Sequence, residues 1–167
     1  MITLEEILYY GMEDLKESTK LSGLKIWSDG AYKPSLNQGG IGIVWTSDGK
    51  VIKTYSKGYK GSETKKVTNQ TMEMLAAMTA LNAIKTSVDS VELVTDSMYV
   101  VGTMTKNWKR KANQGLWKKF DEILEKVNKL SKTPVKISHT YGHADDKFNN
   151  LADELADQAS KELILWK

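Results

Sequence analysis

The pattern of apolar and polar positions changes character near residue 24 of this chain. Before it, apolar side chains recur at helical intervals over residues 3–19, and Thr3 and Glu6 have the spacing of a capping box. The apolar positions of this segment are Leu4, Ile7, Leu8, Met12 and Leu15. We therefore predict an N-terminal amphipathic helix, which packs on the rest of the protein, mediates self-association or remains from a larger polyprotein or fusion.

After residue 24, the pattern is first typical of strands and then of strands alternating with helices. Turns that contain glycine or polar residues separate three strand-like segments, at 24–32, 39–47 and 50–59. The segments that follow are a helix at 71–86, a strand at 91–95, helices at 97–107 and 115–131, a strand at 135–140 and a helix at 147–163. This βββαβααβα order predicts an α/β fold with a five-stranded mixed sheet, in which three antiparallel hairpin-linked strands and two parallel strands are flanked by helices.

Length and composition narrow the possible chemistry. A chain of 167 residues fits one domain, which we place at 24–167, with 1–23 as a helical extension. The chain has no cysteine and two histidines, which excludes disulfides, thiolate catalysis and a histidine-rich metal site. Metal ligands would therefore be oxygen atoms, and these favour Mg²⁺ or Mn²⁺ over zinc. Without a secretory signal or an apolar run near ~20 residues, we expect a cytoplasmic protein with no membrane partner.

Positive charge is concentrated in one stretch that also contains Trp108 and Trp117, although the net charge of the chain is only +3. The basic residues of this stretch are Lys106, Lys109, Arg110, Lys111, Lys118 and Lys119. Cations interleaved with aromatic rings are typical of surfaces that contact a nucleic-acid backbone. A solvated helix end beside tryptophans of the core explains this segment equally well, so both interpretations stay open.

A few of the 21 acidic residues lie among apolar neighbours, where an ionised side chain is costly. These residues are Asp29, Glu73, Asp96 and Asp153. A buried carboxylate without a partner costs several kcal/mol, so such groups usually pair, become protonated or bind a cation. Convergence of all four would suit a pair of Mg²⁺ ions.

The local pattern around each acid supports this selection to a different degree. Asp29 interrupts an apolar strand, and Glu73 lies on the alanine-rich face of its predicted helix, which we expect to face the sheet. Asp96 follows the strand 91–95 at its carboxyl end, where α/β sheets usually bind ligands, although it also fits as the cap of the next helix. Asp153 lies only at the edge of an apolar helix face.

His143 lies in a short polar loop ahead of Asp153. A single loop histidine is usually incidental. An imidazole titrates near pH ~6.5, which would suit proton exchange beside a metal site if the last helix brings the loop there.

Several motifs in a fixed order make the sequence resemble the type 1 ribonuclease H family over about residues 24–163. They are Ser28-Asp29-Gly30-Ala31 followed by Gly39-Gly40-Ile41-Gly42, then Thr68-Asn69-Gln70-Thr71-Met72-Glu73, Thr95-Asp96-Ser97, Gly142-His143 and Asp153-Glu154-Leu155-Ala156. Each motif is weak alone. Their order and spacing, on an element order inferred independently, make the resemblance specific.

The resemblance implies an endonuclease that cuts the RNA strand of RNA/DNA hybrids with two divalent ions and leaves 5′-phosphate and 3′-hydroxyl ends. It implies that Asp29, Glu73, Asp96 and Asp153 bind two Mg²⁺ ions, for which Mn²⁺ is a possible substitute. His143 would assist proton transfer or product release. The implied partner is an RNA/DNA hybrid, and the sequence gives no evidence of an obligate protein partner.

The resemblance also implies residues that read the RNA strand. Only the 2′-hydroxyl and the helix shape distinguish RNA from DNA. Asn69 and Gln70, with the backbone near Gly30, would contact sugar hydroxyls in the minor groove. From the sequence alone, Asn69 fits equally well as a helix cap.

A second group of residues is implied to hold the DNA strand. Thr68 and Asn113 would bind a DNA phosphate, and Trp108 would pack against DNA sugars. The local alternatives are a helix cap for Thr68, a turn residue for Asn113 and a core position for Trp108.

The sequence departs from the family pattern at two places. Several bacterial members carry a longer basic protrusion after the Asn-Trp pair, here Asn107-Trp108, and the short Lys109-Arg110-Lys111 segment predicts weaker, more salt-sensitive binding of the hybrid. Asp145 stands where a glycine is common, which changes the charge of the loop that contains His143.

Two other functions fit part of the pattern. A DNA nuclease or integrase-like strand transferase can use clustered acids and Mg²⁺ on the same fold, but the Thr-Asn-Gln segment before Glu73 argues against it. A non-catalytic hybrid-binding domain is a second alternative, and the four intact carboxylates argue against that one.

Overall fold

Three long antiparallel strands begin the described part of the chain. The computed structural model describes residues 23–64, 66–140, 146–161 and 163–165. The three strands are β1 (Leu24–Lys33), β2 (Gln38–Ser47) and β3 (Lys50–Lys60). Their turns use residues in the left-handed region, with φ of 51° at Asn37 and 50° at Asp48, a conformation that Asn and Asp tolerate better than other side chains.

Helices and short strands alternate along the rest of the chain. In order they are α1 (Asn69–Asn82), β4 (Val91–Thr95), α2 (Met98–Thr105), α3 (Gln114–Leu130), β5 (Lys136–His139), α4 (Lys147–Ala159) and β6 (Leu163–Leu165). The sheet has the order β5-β4-β1-β2-β3-β6, with β4 parallel to β1 and β5 parallel to β4. The predicted five-stranded mixed sheet is therefore confirmed.

The end of the chain differs from the prediction. Helix α4 ends at Ala159 rather than 163, and Leu163–Leu165 form a sixth strand parallel to Gly58–Lys60 of β3. The apolar spacing at this end matched a helix, but the edge of β3 offers backbone groups that an extended segment can pair with. The predicted helix at 3–19 lies outside the described residues, and the division into 1–23 and 24–167 stays a prediction.

Helix α1 is surrounded on all sides. Every residue from Thr71 to Leu81 is buried, because the sheet covers one side of the helix and α2 and α3 cover the other. The polar residues Thr71 and Thr79 are therefore buried as well. Apolar periodicity does not separate core from solvent in a helix that lacks a solvent-facing side.

Helix α4 packs on the opposite face of the sheet through a smaller apolar cluster. Trp27 of β1, Val44 of β2 and Ala152 of α4 are buried together, and the ring centroids of Trp27 and Phe148 are 4.8 Å apart. None of the described helices is both long enough and apolar enough to cross a membrane.

Glycines allow both helices to lie close to the central strands. A Cβ atom on Gly30 would lie 2.6 Å from the carbonyl carbon of Met72 in α1. A Cβ atom on Gly42 would lie 2.6 Å from the backbone nitrogen of Ala156 in α4. Gly42 is the cross-strand partner of Asp29, and such partners project to the same face, so the close contact at Gly42 brings α4 over Asp29.

Substitution of Gly42 by alanine should separate α4 from the sheet. The added methyl group has no room against the backbone of α4, and overpacking of this kind costs about 1–3 kcal/mol. The measurement is the free energy of unfolding in urea. Gly115→Ala is the control, because a Cβ atom there meets nothing within 4 Å, and alanine in a helix should be neutral or slightly stabilising. Equal stability of Gly42→Ala and the wild type would contradict the close packing.

Candidate metal centre

Three carboxylates meet beside the carboxyl end of β4, where β1 continues past it. Asp29, Glu73 and Asp96 each offer one oxygen atom, and these atoms lie within 4.8 Å of one another. Since Trp27 of β1 is in register with Val94 of β4, the two parallel strands carry Asp29 and Asp96 to the same edge of the sheet. Glu73 reaches this edge from α1, across the close contact at Gly30.

Asp153 joins the cluster from the opposite face of the sheet. It is an exposed residue of α4, and its carboxyl group is near enough to that of Asp29 to raise the pKa of Asp29. The four carboxylates that the sequence singled out therefore lie at one site, although only three of them form the tight group.

Burial and mutual repulsion disfavour negative charge at this site. Burial raises the pKa of Asp29, and the neighbouring charges of Glu73 and Asp96 raise it further. Burial also raises the pKa of Glu73, as does the charge of Asp96. Burial likewise raises the pKa of Asp96, although hydrogen bonding and the nearby His139 oppose the shift. A cation that held these groups in their ionised form would remove much of the repulsion.

The donor set fits a hard divalent ion. Asp29 and Glu73 are only 2% and 6% exposed, and their carboxylate oxygens are the ligand type that Mg²⁺ and Mn²⁺ prefer. The Oε2 atom of Glu73 is buried, and no group in the described parts of the chain forms a hydrogen bond with it. A buried carboxylate oxygen without a donor is the kind of atom that a metal ion would satisfy.

Asp96 is not the cap of the helix that follows it. The hydroxyl of Ser97 takes that position, because it accepts a hydrogen bond of 3.2 Å from the backbone nitrogen of Val100 in α2. The capping alternative for Asp96 is therefore wrong, and its carboxylate points into the cluster instead.

His139 is a neighbour of the site that the sequence analysis did not single out. The register of β4 and β5 pairs His139 with Thr95 and so places it beside Asp96. The Nε2 atom of His139 lies 3.2 Å from the carbonyl oxygen of Asp96. The available signal was the position of His139 at the end of a predicted strand beside the one that leads to Asp96.

His143 lies outside the described residues, but the described residues that flank 141–145 are linked to each other. The hydroxyl of Thr140 donates a hydrogen bond of 3.1 Å to Oδ2 of Asp146. The other carboxylate oxygen of Asp146 accepts from the backbone nitrogen of Asn149 and so caps α4. One aspartate thus joins the end of β5 to the helix that carries Asp153.

Asn69 and Gln70, the residues assigned by resemblance to the RNA strand, lie at the start of α1, directly after Thr68, which was assigned to a DNA phosphate. Thr68 is the N-cap, and it forms a capping box with Thr71, as the local alternative proposed for Thr68. Asn69 and Gln70 are exposed in the first turn of the helix. They precede Glu73 by four and three residues, so they lie on the same side of the helix as Glu73.

Two of the residues assigned to the DNA strand, Trp108 and Asn113, lie around α2 and α3, whereas Thr68 lies at the start of α1. Trp108 is not a core residue: it is 44% exposed, and one face of its ring lies on Gly102. Asn113 has a left-handed φ of 58°, and its amide donates a hydrogen bond of 3.2 Å to the hydroxyl of Tyr99. The same hydroxyl accepts a hydrogen bond from Nε1 of Trp117.

Arg110 belongs to the internal structure of the short basic segment. Its guanidinium forms two hydrogen bonds with the carboxylate of Asp121 and lies 5.4 Å from the ring centre of Trp117. The sequence analysis grouped Arg110 with Lys109 and Lys111 as binding cations, but only the two lysines are exposed.

Comparisons with known proteins identify relatives along most of the chain. The model of the RNase H family matches residues 22–161. A ribonuclease H of Syntrophomonas wolfei is 32% identical over 83% of this chain and 96% of its own length. A ribonuclease H of Maricaulis maris is 34% identical over 85% of this chain and 96% of its own length. The structure of LC11-RNase H1 in complex with an RNA/DNA hybrid superposes on this protein with a TM-score of 0.63. The two sequences are 23% identical, and the match covers 83% of this chain and 97% of the LC11-RNase H1 chain.

The metal-free protein should lose stability as pH rises. Because the carboxyl pKa values at this site are raised in the folded protein, the folded state retains protons that the unfolded state has released. The stability that these carboxyl groups contribute is fully present below about pH 4, the pKa of a carboxyl group in the unfolded chain. It is lost as pH rises through the higher pKa values of the folded protein. With chelator present, we expect the melting temperature to fall by roughly 5 °C or more between pH ~5 and pH ~9.

The matched comparison for this effect is Asp29→Asn, which removes the ionisable group most affected. This variant should show a shallower decrease in melting temperature over the same pH range, and Mg²⁺ should raise the melting temperature of the wild type most at high pH. Identical pH profiles of the two proteins would contradict the interpretation.

Proposed function

Because this chain belongs to the RNase H family, we propose that it is an endonuclease that hydrolyses the RNA strand of RNA/DNA hybrids. We propose further that it uses two Mg²⁺ ions, or Mn²⁺ in their place, and leaves 5′-phosphate and 3′-hydroxyl ends. The observation that carries this proposal is the group of carboxylate oxygens from Asp29, Glu73 and Asp96 within 4.8 Å. The fold neighbour that contains an RNA/DNA hybrid supports the choice of substrate.

The four carboxylates would hold the metal ions. Bound divalent ions in such a site activate the attacking water and stabilise the leaving 3′-oxygen. The protein contributes the close approach of α1 and α4 to β1, which brings Glu73 and Asp153 to Asp29 from opposite faces of the sheet. His143 would assist proton transfer or product release.

The substrate would lie across the carboxylates between two groups of contacts. On one side, the exposed amides of Asn69 and Gln70 would read sugar hydroxyls, together with the backbone near Gly30. On the other side, Trp108 would pack against the sugars of the DNA strand. Thr68, at the start of α1, and Asn113 would hold a phosphate of that strand. The indole of Trp108 suits this role because it presents a flat apolar surface to solvent.

Replacement of Asp96 by asparagine should remove nearly all cleavage of an RNA/DNA hybrid in Mg²⁺, by about 1,000-fold or more, since the amide cannot supply the same ligand charge. The fold should persist, and the metal-free variant should be as stable as the wild type or more stable, because carboxylate repulsion is relieved. The control is Asp89→Asn, an exposed carboxylate that pairs with Lys132 and should leave cleavage unchanged. A strongly destabilised Asp96→Asn variant would contradict the second half of the prediction.

The substrate class is tested by parallel cleavage of an RNA/DNA hybrid, duplex DNA and duplex RNA of one sequence. We expect the hybrid to be cut at least ~100-fold faster than either duplex, because the exposed amides of α1 would read 2′-hydroxyls on one strand only. Preferential cleavage of duplex DNA would favour the strand-transferase or DNA-nuclease alternative. Tight hybrid binding with no more cleavage than Asp96→Asn would favour a binding domain.

A further inference from the structure

Asn37 links two segments that are distant in sequence and lie on the same side of the sheet. It occupies the turn between β1 and β2 with a left-handed φ of 51°. Its side-chain Oδ1 accepts a hydrogen bond of 2.9 Å from the backbone nitrogen of Val67, and its Nδ2 donates one of 3.2 Å to the carbonyl oxygen of Ser62. Its own carbonyl accepts a third, of 2.8 Å, from the backbone nitrogen of Gly61.

These hydrogen bonds hold the segment that leads into α1. Val67 directly precedes Thr68, the N-cap of the helix, so the amide of Asn37 fixes the backbone one residue before the helix begins. The fit is tight, because a Cβ atom on Gly61 would come within 2.5 Å of Nδ2 of Asn37. A displacement of this side chain would therefore move the entry to α1.

Asn37 also belongs to the hairpin that carries Asp29. The backbone of β1 continues from Asp29 to the turn. A Cβ atom on Gly39 would lie 2.7 Å from side-chain carbons of both Met72 and Val67, so these apolar side chains lie close to the hairpin. Apolar contacts allow sliding, whereas a hydrogen bond to a backbone nitrogen specifies distance and direction. Asn37 is thus a polar link between the hairpin of Asp29 and the segment that enters α1.

We propose that Asn37 is a positioning residue for the reading of RNA sugars, an inference that rests on the proposed function. It holds the exposed amides of Asn69 and Gln70 at a fixed distance from the carboxylates and so sets how strongly cleavage depends on the sugar hydroxyls beside the scissile bond. A role in stability alone would change the amount of folded protein without changing this dependence.

The test compares kcat/KM for an all-RNA strand with that for a strand bearing a single 2′-deoxynucleotide beside the scissile bond, each paired with DNA. The ratio of the two values measures hydroxyl selectivity. Asn37→Gly keeps the left-handed backbone accessible but removes the side-chain amide. It should reduce the ratio about tenfold, because displacing groups that position the substrate by ~1 Å has effects of this size or larger. Combining Asn37→Gly with Asn69→Ala and Gln70→Ala should reduce the ratio no further.

Two further variants separate positioning from stability. Asn37→Asp retains an acceptor for the backbone nitrogen of Val67 and should restore most of the ratio. The methyl group of Gly61→Ala would displace the side-chain amide of Asn37 and should lower the ratio. This variant therefore tests the inference even if Asn37→Gly does not fold. Asp48→Gly is the matched control: it has a φ of 50° in the turn at the far end of β2, and its ratio should equal that of the wild type.

The outcomes distinguish this inference from the proposed function. A wild-type protein that cuts the hybrid, together with folded Asn37→Gly and Gly61→Ala variants of unchanged ratio, would overturn the inference alone. A uniform loss of kcat at constant ratio would overturn it too, because that is the result of a purely structural role. A wild-type protein that cuts no hybrid would reject the proposed function and, with it, the role of Asn37 in selectivity.

Discussion

Close backbone contact at glycines is the constraint on which the carboxylate site depends. Gly30 admits the backbone of α1 on one side of the sheet, and Gly42 admits that of α4 on the other. With a side chain at either position, Glu73 or Asp153 would be held farther from Asp29. The apolar core thus supplies the energy that brings like charges together, and the raised pKa values of the cluster are the electrostatic cost of that arrangement.

Much of the fold could be predicted from the sequence because strand and helix patterns are local properties. The hairpins of β1 to β3 follow from turn residues and strand-forming segments. The closeness of Asp29 and Asp96 follows from the register of two parallel strands, which pairs Trp27 with Val94. Glu73 was assigned to the sheet side of its helix from alanine spacing, and it lies beside Gly30 of β1. Four motifs in order then supplied the functional assignment that periodicity alone could not.

Contacts that depend on tertiary packing could not be predicted in the same way. The burial of every residue of α1 from Thr71 to Leu81 requires α2 and α3 on its far side, and β6 forms only because the edge of β3 is available. The role of Asn37 depends on Val67, which lies 30 residues away, and a left-handed turn residue carries no local sign of such a partner. His139 was missed for a related reason, since its proximity to Asp96 arises from the pairing of two strands.

The ion pair of Arg110 with Asp121 reduces the number of cations that the short basic segment can offer to a phosphate. The affinity of a protein for nucleic acid depends on salt because each cation that meets a phosphate releases counterions from the polymer. A guanidinium already neutralised by a carboxylate and stacked on Trp117 takes little part in that exchange. The shortened segment would therefore release fewer counterions on binding a nucleic acid than its three basic residues suggest, while the salt sensitivity predicted from the sequence stays a prediction.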